Sequence, residues 1–175
     1  ISSVNQRTSD RGLKNTNMLG RLKKFSFTCA LGYVGIVVLM MFLETMLMYP
    51  APNKQDGDWN PSWLKYEEVS VLAEDGIKVH GWFCEHPDAR GALMLCHGNG
   101  EHVAFMAEEL AYLRERFSMS VLAFDYRGYG KSEGTPFESG ILLDGEAMQA
   151  WLADRTGQKP GEAFLYGRSL GGAVA

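Results

Sequence analysis

The sequence predicts an α/β fold with a parallel sheet, preceded by one transmembrane helix. Three short apolar runs suit strands buried on both faces, and they alternate with two segments of helical periodicity. The runs are Ala92–Cys96, 121–124 and 163–166. Such alternation is typical of a doubly wound sheet. Ahead of it, residues 25–43 form 19 residues without a charge, close to the length that crosses the ~30 Å hydrocarbon core of a bilayer.

Composition and charge allow one domain of ordinary size. The 175 residues carry a net charge of −4. This total hides a split, because the segment before Phe25 carries +5 and the remainder carries −9. An acidic main domain argues against nucleic acid as a partner, since phosphates are bound by basic surfaces. The basic segment stands directly before the apolar run, which is a signal of membrane topology.

Residues 25–48 are interpreted as an uncleaved membrane anchor. Arg21, Lys23 and Lys24 precede the apolar run. By the positive-inside rule they place the N-terminus in the cytoplasm and everything after Glu44 on the far, extracytoplasmic or lumenal side. A cleaved signal peptide is one alternative, although it would want a shorter core and a small-residue cleavage site. A buried core helix is another, although such helices usually show a polar face.

The rest of the chain divides around this anchor. Residues 1–24 are polar without periodicity and are expected to be disordered. Residues 49–64 hold three of the six prolines and are expected to form a linker. The domain occupies residues 65–175. It is predicted to begin with a β-hairpin that turns at Asp75-Gly76.

Further predictions concern helices and cysteines. Apolar residues recur at helical spacing over residues 103–116 and 140–153. The cysteines, Cys29, Cys84 and Cys96, show no disulfide framework and no C-x-x-C pair. They are therefore interpreted as buried free thiols, and no metal site is supported.

The segment Gly167-Arg168-Ser169-Leu170-Gly171 matches the G-x-S-x-G pattern directly after the third apolar run. This pattern places a serine on a sharp strand-to-helix turn that exposes its hydroxyl, and the crowded flanking positions require glycine. Ser169 is therefore the predicted nucleophile. A plain structural turn is the alternative, because a glycine-rich chain meets the pattern by chance.

The segment His97-Gly98-Asn99-Gly100 follows the first apolar run and is similar to the HGGG-type loop that supplies an oxyanion-hole amide. The intermediate of acyl transfer needs two pre-aimed N–H donors. They are assigned to the backbones of Asn99 and Leu170. A plain glycine turn is the alternative. His97 is expected to order the loop rather than to act as the general base.

Asp125 opens a third polar loop, Asp-Tyr-Arg-Gly-Tyr-Gly-Lys-Ser-Glu-Gly. It resembles a triad acid, but in this kind of fold the order along the chain is serine, acid, histidine. Asp125 precedes Ser169 and is therefore expected to pin the loop. The other histidines, His80, His86 and His102, also precede the serine and are not expected to be catalytic.

With these three loops in order, residues 66–175 resemble the α/β-hydrolase superfamily. The closer resemblance is to its membrane-anchored serine hydrolases, the α/β-hydrolase-domain-containing and bud-emergence-mutant-type proteins. The resemblance implies a Ser-Asp-His triad, no metal or organic cofactor, and hydrolysis of an ester, thioester or amide in a small-molecule or lipid-like acyl substrate.

The chain departs from this pattern at its end, since the acid and histidine of the family follow the serine by a wide margin. The 175 residues are therefore expected to be the N-terminal half of the hydrolase sheet, inactive by themselves. A competing hypothesis is a non-catalytic, membrane-tethered binding module with the hydrolase fold. Retention of Ser169 favours the enzyme.

Overall fold

The computed structural model describes residues 2–159 and 161–175. The chain forms two compact units, Ile1–Glu44 and Thr45–Ala175. The first is the greater part of one helix, α1, which spans Ser2–Met48. The second contains a five-stranded sheet with helices, so the predicted α/β class is confirmed.

Helix α1 is longer than the anchor that the sequence indicates. Residues 2–24, which were expected to be disordered, continue it towards the N-terminus. This segment contains no proline, and adding turns to an existing helix costs far less than nucleating one. Residues 20–44 are long and apolar enough to cross a membrane. None of the side chains described there is buried.

The second unit follows the predicted order closely. Its strands are β1 (Glu67–Leu72), β2 (Lys78–Cys84), β3 (Ala92–Cys96), β4 (Ser120–Phe124) and β5 (Phe164–Gly167). Its helices are α2 (Ala107–Phe117), α3 (Glu138–Thr156) and the short α4 (Gly171–Val174), with a 3₁₀ turn at Val103–Phe105. The predicted hairpin is confirmed as β1 and β2, which pair antiparallel around a turn with Gly76 at a φ of +81°.

Strand order decides where the helices lie. The order is β1-β2-β4-β3-β5, and β3 pairs parallel with both β4 and β5. The crossover from β3 to β4 therefore runs in one direction across the sheet, and the crossover from β4 to β5 runs back. Because such crossovers are right-handed, their helices must cover opposite faces.

The two apolar cores match this arrangement. Leu110 and Leu113 of α2 pack with Leu95 on one face, whereas Met148 and Leu152 of α3 pack on the other face. Successive residues of the central strands alternate between these cores, as the period of a strand requires. The continuous apolar runs of β3 and β4 follow from burial on both faces.

Two predicted features differ in the structure. Residues 49–64 do not form a free linker, because Trp59 stacks on the ring of His102 at 4.8 Å between centroids and Tyr49 packs against the α3-side core. Aromatic side chains in a proline-rich segment still gain from burial. The third apolar run was predicted to be a buried strand, but β5 is the sheet edge in the described residues. Phe164 is 58% exposed.

A buried ion-pair network joins the hairpin to α3. Arg127 is 1% exposed, and its guanidinium donates to Asp144 (Nη2 to Oδ1, 2.8 Å) and to Asp75 (Nη1 to Oδ2, 2.6 Å). The Arg127 backbone N–H also donates to Asp144, at 2.8 Å. Burial opposes the charge, but these hydrogen bonds outweigh it and raise the pKa of Arg127.

This network yields a prediction about stability. Asp144→Ala leaves Arg127 buried without its main partner and should lower the free energy of unfolding by about 3–5 kcal/mol. Glu146→Ala removes an exposed carboxylate from the same helix and should change it by less than about 0.5 kcal/mol. Urea unfolding followed by tryptophan fluorescence measures both. Equal losses in the two variants would contradict the assigned role of the network.

Candidate active site

The carboxyl ends of β3 and β5 meet at the point where the sheet topology reverses. The chain leaves β3 towards the α2 face, whereas α4, which follows β5, packs on the α3 side through Val174. Adjacent parallel strands whose connections leave to opposite faces open a crevice at their carboxyl ends, where ligands bind in such sheets. This crevice contains the His97–Gly100 loop and the turn around Ser169.

The turn at Ser169 has the backbone of a strained elbow. Strand β5 ends at Gly167 and α4 begins at Gly171, so only three residues reverse the chain. Ser169 has a φ of +54°, a left-handed value that non-glycine residues seldom adopt. Strain of this kind costs about 1–3 kcal/mol and is held by the surrounding structure. The serine is exposed, so the turn presents its hydroxyl to solvent.

Steric crowding explains the glycines on both sides of the turn. A Cβ added to Gly167 would lie 2.1 Å from the Gly171 carbonyl oxygen, and a Cβ added to Gly171 would lie 1.9 Å from the carbonyl oxygen of Cys96. Both distances are far inside van der Waals contact, and both neighbours are backbone atoms. The chain can therefore make this turn only with glycine at both positions.

The loop after β3 is braced from two sides. The side-chain amide of Asn99 donates to the carbonyl oxygen of Met48 at 2.7 Å, and its oxygen accepts the hydroxyl of Tyr129 at 2.7 Å. Within the described part of the chain, the backbone N–H groups of Asn99 and Leu170 donate to no other protein group. Both stay available for a ligand in the crevice.

His97 sits beneath this loop and is fully engaged in packing. It is 1% exposed, its Nδ1 lies 2.8 Å from the Gly98 carbonyl oxygen, and its ring packs against those of Tyr126 and Tyr129. Burial lowers the pKa of His97, which keeps the imidazole neutral. No hydrogen bond links it to Ser169 among the residues that the structure describes.

The buried carboxylate of Asp125 connects three segments of the chain through hydrogen bonds. Its carboxylate accepts the backbone N–H of Val103 at 2.8 Å and that of Lys131 at 3.1 Å, and it lies 2.8 Å from Nδ1 of His80. It is 0% exposed. These contacts hold the loop that follows β4 against β2 and against the 3₁₀ turn.

Sequence reasoning missed two clusters around the site. One cluster brings together a serine, a histidine and an aspartate, namely Ser132, His80 and Asp125. It does not have the geometry of a catalytic triad, because the Ser132 hydroxyl accepts the backbone N–H of His80 at 2.9 Å and does not bond to its ring. Glu101 and Arg168 form an ion pair beside the elbow. In the sequence these residues stand next to the recognised motifs, and only the fold shows which of them meet.

The three cysteines are all free thiols. Cys84 and Cys96 are buried, which raises their pKa to about 11 and about 12 respectively, so both thiols are neutral. Cys29 is instead exposed on α1. The described residues contain no group of three side chains able to hold a metal ion.

The chain is similar to known hydrolases in sequence and in structure. Residues 87–175 match the family model described as serine aminopeptidase, S33. An esterase of Pyrococcus furiosus is similar in structure, with a TM-score of 0.61 and 29% sequence identity over 71% of this chain and 51% of that chain. An α/β-hydrolase of Vibrio vulnificus gives a TM-score of 0.55 and 25% identity over 63% of this chain and 38% of that one.

Curated relatives agree with the structures. The chain is 31% identical to an α/β-hydrolase-domain-containing protein of Arabidopsis thaliana, over 80% of this chain and 47% of the relative. It is also 31% identical to an uncharacterised membrane protein of Saccharomyces cerevisiae, over 79% of this chain and 50% of the relative. Sheet order, elbow and relatives together define a protein of the α/β-hydrolase superfamily.

Within that superfamily, the chain belongs to the serine aminopeptidase S33 family. The chain spans about half the length of these two curated relatives. The resemblance to the α/β-hydrolase superfamily, which the sequence motifs predicted, is confirmed.

The crowding at the elbow predicts a contrast between two neighbouring glycines. Gly171→Ala forces a methyl group onto the end of β3 and should lower the free energy of unfolding by about 3 kcal/mol or more. At Gly172 the nearest atom to an added Cβ is 3.8 Å away, so Gly172→Ala should be neutral or slightly stabilising. Thermal unfolding of the two variants measures the contrast. An equally mild effect at both positions would contradict the packing described.

Proposed function

We propose that the protein is a serine hydrolase that cleaves an ester, thioester or amide through an acyl-enzyme on Ser169. The observation that carries the proposal is the positive φ of this serine between two sterically obligatory glycines, at the crevice where the topology reverses. A strained backbone persists only where the surrounding structure enforces it, and such sites are often functional. A positive φ alone does not mark a functional serine, since Ser118 has a φ of +52° at the C-cap of α2; the two crowded glycines distinguish the turn at Ser169.

The proposed oxyanion hole uses the backbone N–H groups of Asn99 and Leu170. Both belong to the crevice, and neither is used by another group in the described residues. Donors of this kind stabilise the charge that develops on the carbonyl oxygen, and removing one typically costs 10²–10³ in kcat. Tyr129 and Met48 hold the Asn99 side chain from both ends, which favours a fixed direction for its N–H group.

Proton transfer in this proposal depends on residues that follow the elbow in the whole protein. In α/β-hydrolases the acid and the histidine come after the serine. A histidine there would take the Ser169 proton and return it to the leaving group, and an acid would orient that histidine. Three of the four histidines in the described residues fit this role poorly, because His80, His97 and His102 are buried, each with one ring nitrogen near Asp125, Gly98 or Asn53 respectively. The fourth, His86, is half-buried, and its Nδ1 accepts the backbone N–H of Asp88 at 3.1 Å.

The proposed substrate class is a small-molecule or lipid-like acyl compound handled at a membrane. The esterase neighbour supports an ester, and the name of the matched family keeps an amide open. One helix able to cross a bilayer and a yeast relative named as a membrane protein support the anchor over residues 25–48. Basic residues before the span favour a cytoplasmic N-terminus, with the hydrolase domain on the far side.

The nucleophile is tested by covalent labelling. A fluorophosphonate probe should label the full-length protein, and Ser169→Ala should abolish the labelling because Ser169 is the proposed nucleophile. Ser139→Ala removes an exposed serine from α3 and should leave the rate unchanged. Fluorescence of the labelled band on a gel measures all three proteins. Absence of labelling in the unaltered protein would favour the non-catalytic binding module instead.

The anchor is tested by a charge placed at its centre. Ile36→Arg should disfavour membrane insertion by about 2.5–3.5 kcal/mol, because an arginine at mid-bilayer is poorly solvated. Leu22→Arg adds the same charge at the basic end, where the side chain reaches the headgroups. The fraction retained in membranes after alkaline extraction measures both. Equal retention of the two variants would contradict a spanning segment.

A further inference from the structure

Glu101 joins the two halves of the candidate site. Its Oε2 accepts the backbone N–H of Gly98 at 2.7 Å, and its Oε1 accepts Nη2 of Arg168 at 2.5 Å. Gly98 immediately precedes Asn99, and Arg168 immediately precedes Ser169. One carboxylate therefore connects the loop after β3 to the elbow after β5.

The partner of Glu101 is itself well fixed at the backbone. The Arg168 N–H donates to the Cys96 carbonyl oxygen at 3.3 Å, and the Arg168 carbonyl oxygen accepts the N–H of Gly171 at 2.9 Å. The backbone of Arg168 is therefore bonded both to the end of β3 and to the start of α4, so its position is fixed together with that of the elbow. Its guanidinium also lies 3.9 Å from Glu109 on α2, but Glu109 forms no bond to the loop in the described residues.

We propose that Glu101 is a positioning residue for the oxyanion hole, acting through Gly98 and Arg168. The pair connects the residue before Asn99 to the residue before Ser169, and so limits movement of the Asn99 loop relative to the elbow that carries the Leu170 amide. This inference rests on the proposed serine-hydrolase function. In this role Glu101 acts on its two protein donors, Gly98 and Arg168, and not on the substrate.

Burial and charge argue against two simpler roles for Glu101 and Arg168, namely a large contribution to stability and general-base catalysis. The side chains of Glu101 and Arg168 are 27% and 49% exposed, and exposed ion pairs contribute only about 0–1 kcal/mol to stability. A general base is also a poor reading. Partial burial opposes ionisation, but the hydrogen bonds from Arg168 and Gly98 prevail and lower the pKa of Glu101. A lowered pKa makes the carboxylate a weaker proton acceptor.

Catalysis is far more sensitive to such a contact than stability is. Donors in an oxyanion hole act through pre-set geometry, and a misplacement of about 1 Å costs roughly 10²-fold. Loss of the carboxylate charge weakens the bridge without removing the hole. A decrease in kcat of about tenfold is therefore expected, with KM unchanged, because the contact matters for the charged intermediate rather than for ground-state binding.

The experiment compares Glu101→Gln with Glu109→Gln in the full-length protein, using p-nitrophenyl butyrate hydrolysis and the rate of fluorophosphonate labelling. Glu101→Gln keeps the shape and one acceptor but loses the charge that binds Arg168. It should lower kcat and the labelling rate about tenfold, with KM and the midpoint of thermal unfolding unchanged. Glu109→Gln weakens only the outer contact of Arg168 and should leave all four quantities unchanged.

Variants of Arg168, the other member of the ion pair with Glu101, test the same contact without altering Glu101. Arg168→Met removes an exposed charge and should slow the reaction as Glu101→Gln does, whereas Arg168→Lys should recover most of the rate. The double variant Glu101→Gln/Arg168→Met should be no slower than either single variant, because both break one bridge.

The possible results distinguish failure of the positioning role of Glu101 from failure of the proposed serine-hydrolase function. If Glu101→Gln reacts at the rate of the unaltered protein while Ser169→Ala is inert, the positioning role is wrong and the serine hydrolase stands. Additive losses in the double variant would also overturn the bridge. If the unaltered protein neither hydrolyses the ester nor reacts with the probe, the proposed function fails and the positioning role fails with it.

Discussion

The close approach of the elbow to the end of β3 is the constraint on which the site depends. The backbone of Gly171 passes so near the Cys96 carbonyl oxygen that no side chain fits between them. This contact brings the turn after β5 against the loop after β3, and it fixes where the serine and the two candidate oxyanion amides stand. The parallel pairing of β3 with β5 sets the register, from Leu93 opposite Phe164 to Cys96 opposite Gly167.

Loops around this contact are held by the buried side chains of Asp125 and Arg127 and by the half-buried Glu101, in addition to apolar packing. Asp125 ties the loop after β4 to β2 and to the 3₁₀ turn, and Arg127 ties the same loop to the hairpin and to α3. Glu101 then connects the loop after β3 to the elbow. Since a buried charge is costly unless every partner is present, these ties favour one arrangement of the loops over its alternatives.

Local patterns in the sequence predicted most of the elements and the motifs of the site. The bounds of β3 were predicted to the residue, because a strand covered on both faces reads as a continuous apolar run. The exposure of β5 was not predicted, since the same apolar pattern cannot say which strand lies at an edge. The packing of Trp59 and the length of α1 were also missed, because proline-rich and polar segments carry no periodicity to read.

The pairing of charged residues that lie far apart in the chain could not be predicted from the sequence. Arg127 meets Asp75 across 52 positions, and Glu101 meets Arg168 across 67. Nothing in the local composition distinguishes these charges from solvated ones. The position of Ser169 could be predicted because its motif is a local steric requirement, whereas the residues that brace it could be assigned only after the strand order was known.

The most direct test of the account is a crystal structure of the full-length protein trapped with a fluorophosphonate. The account predicts a covalent bond from the Ser169 hydroxyl oxygen to phosphorus. It also predicts that the phosphonyl oxygen accepts the N–H groups of Asn99 and Leu170, each at about 3 Å. An adduct on another residue, or a phosphonyl oxygen directed away from both amides, would contradict it.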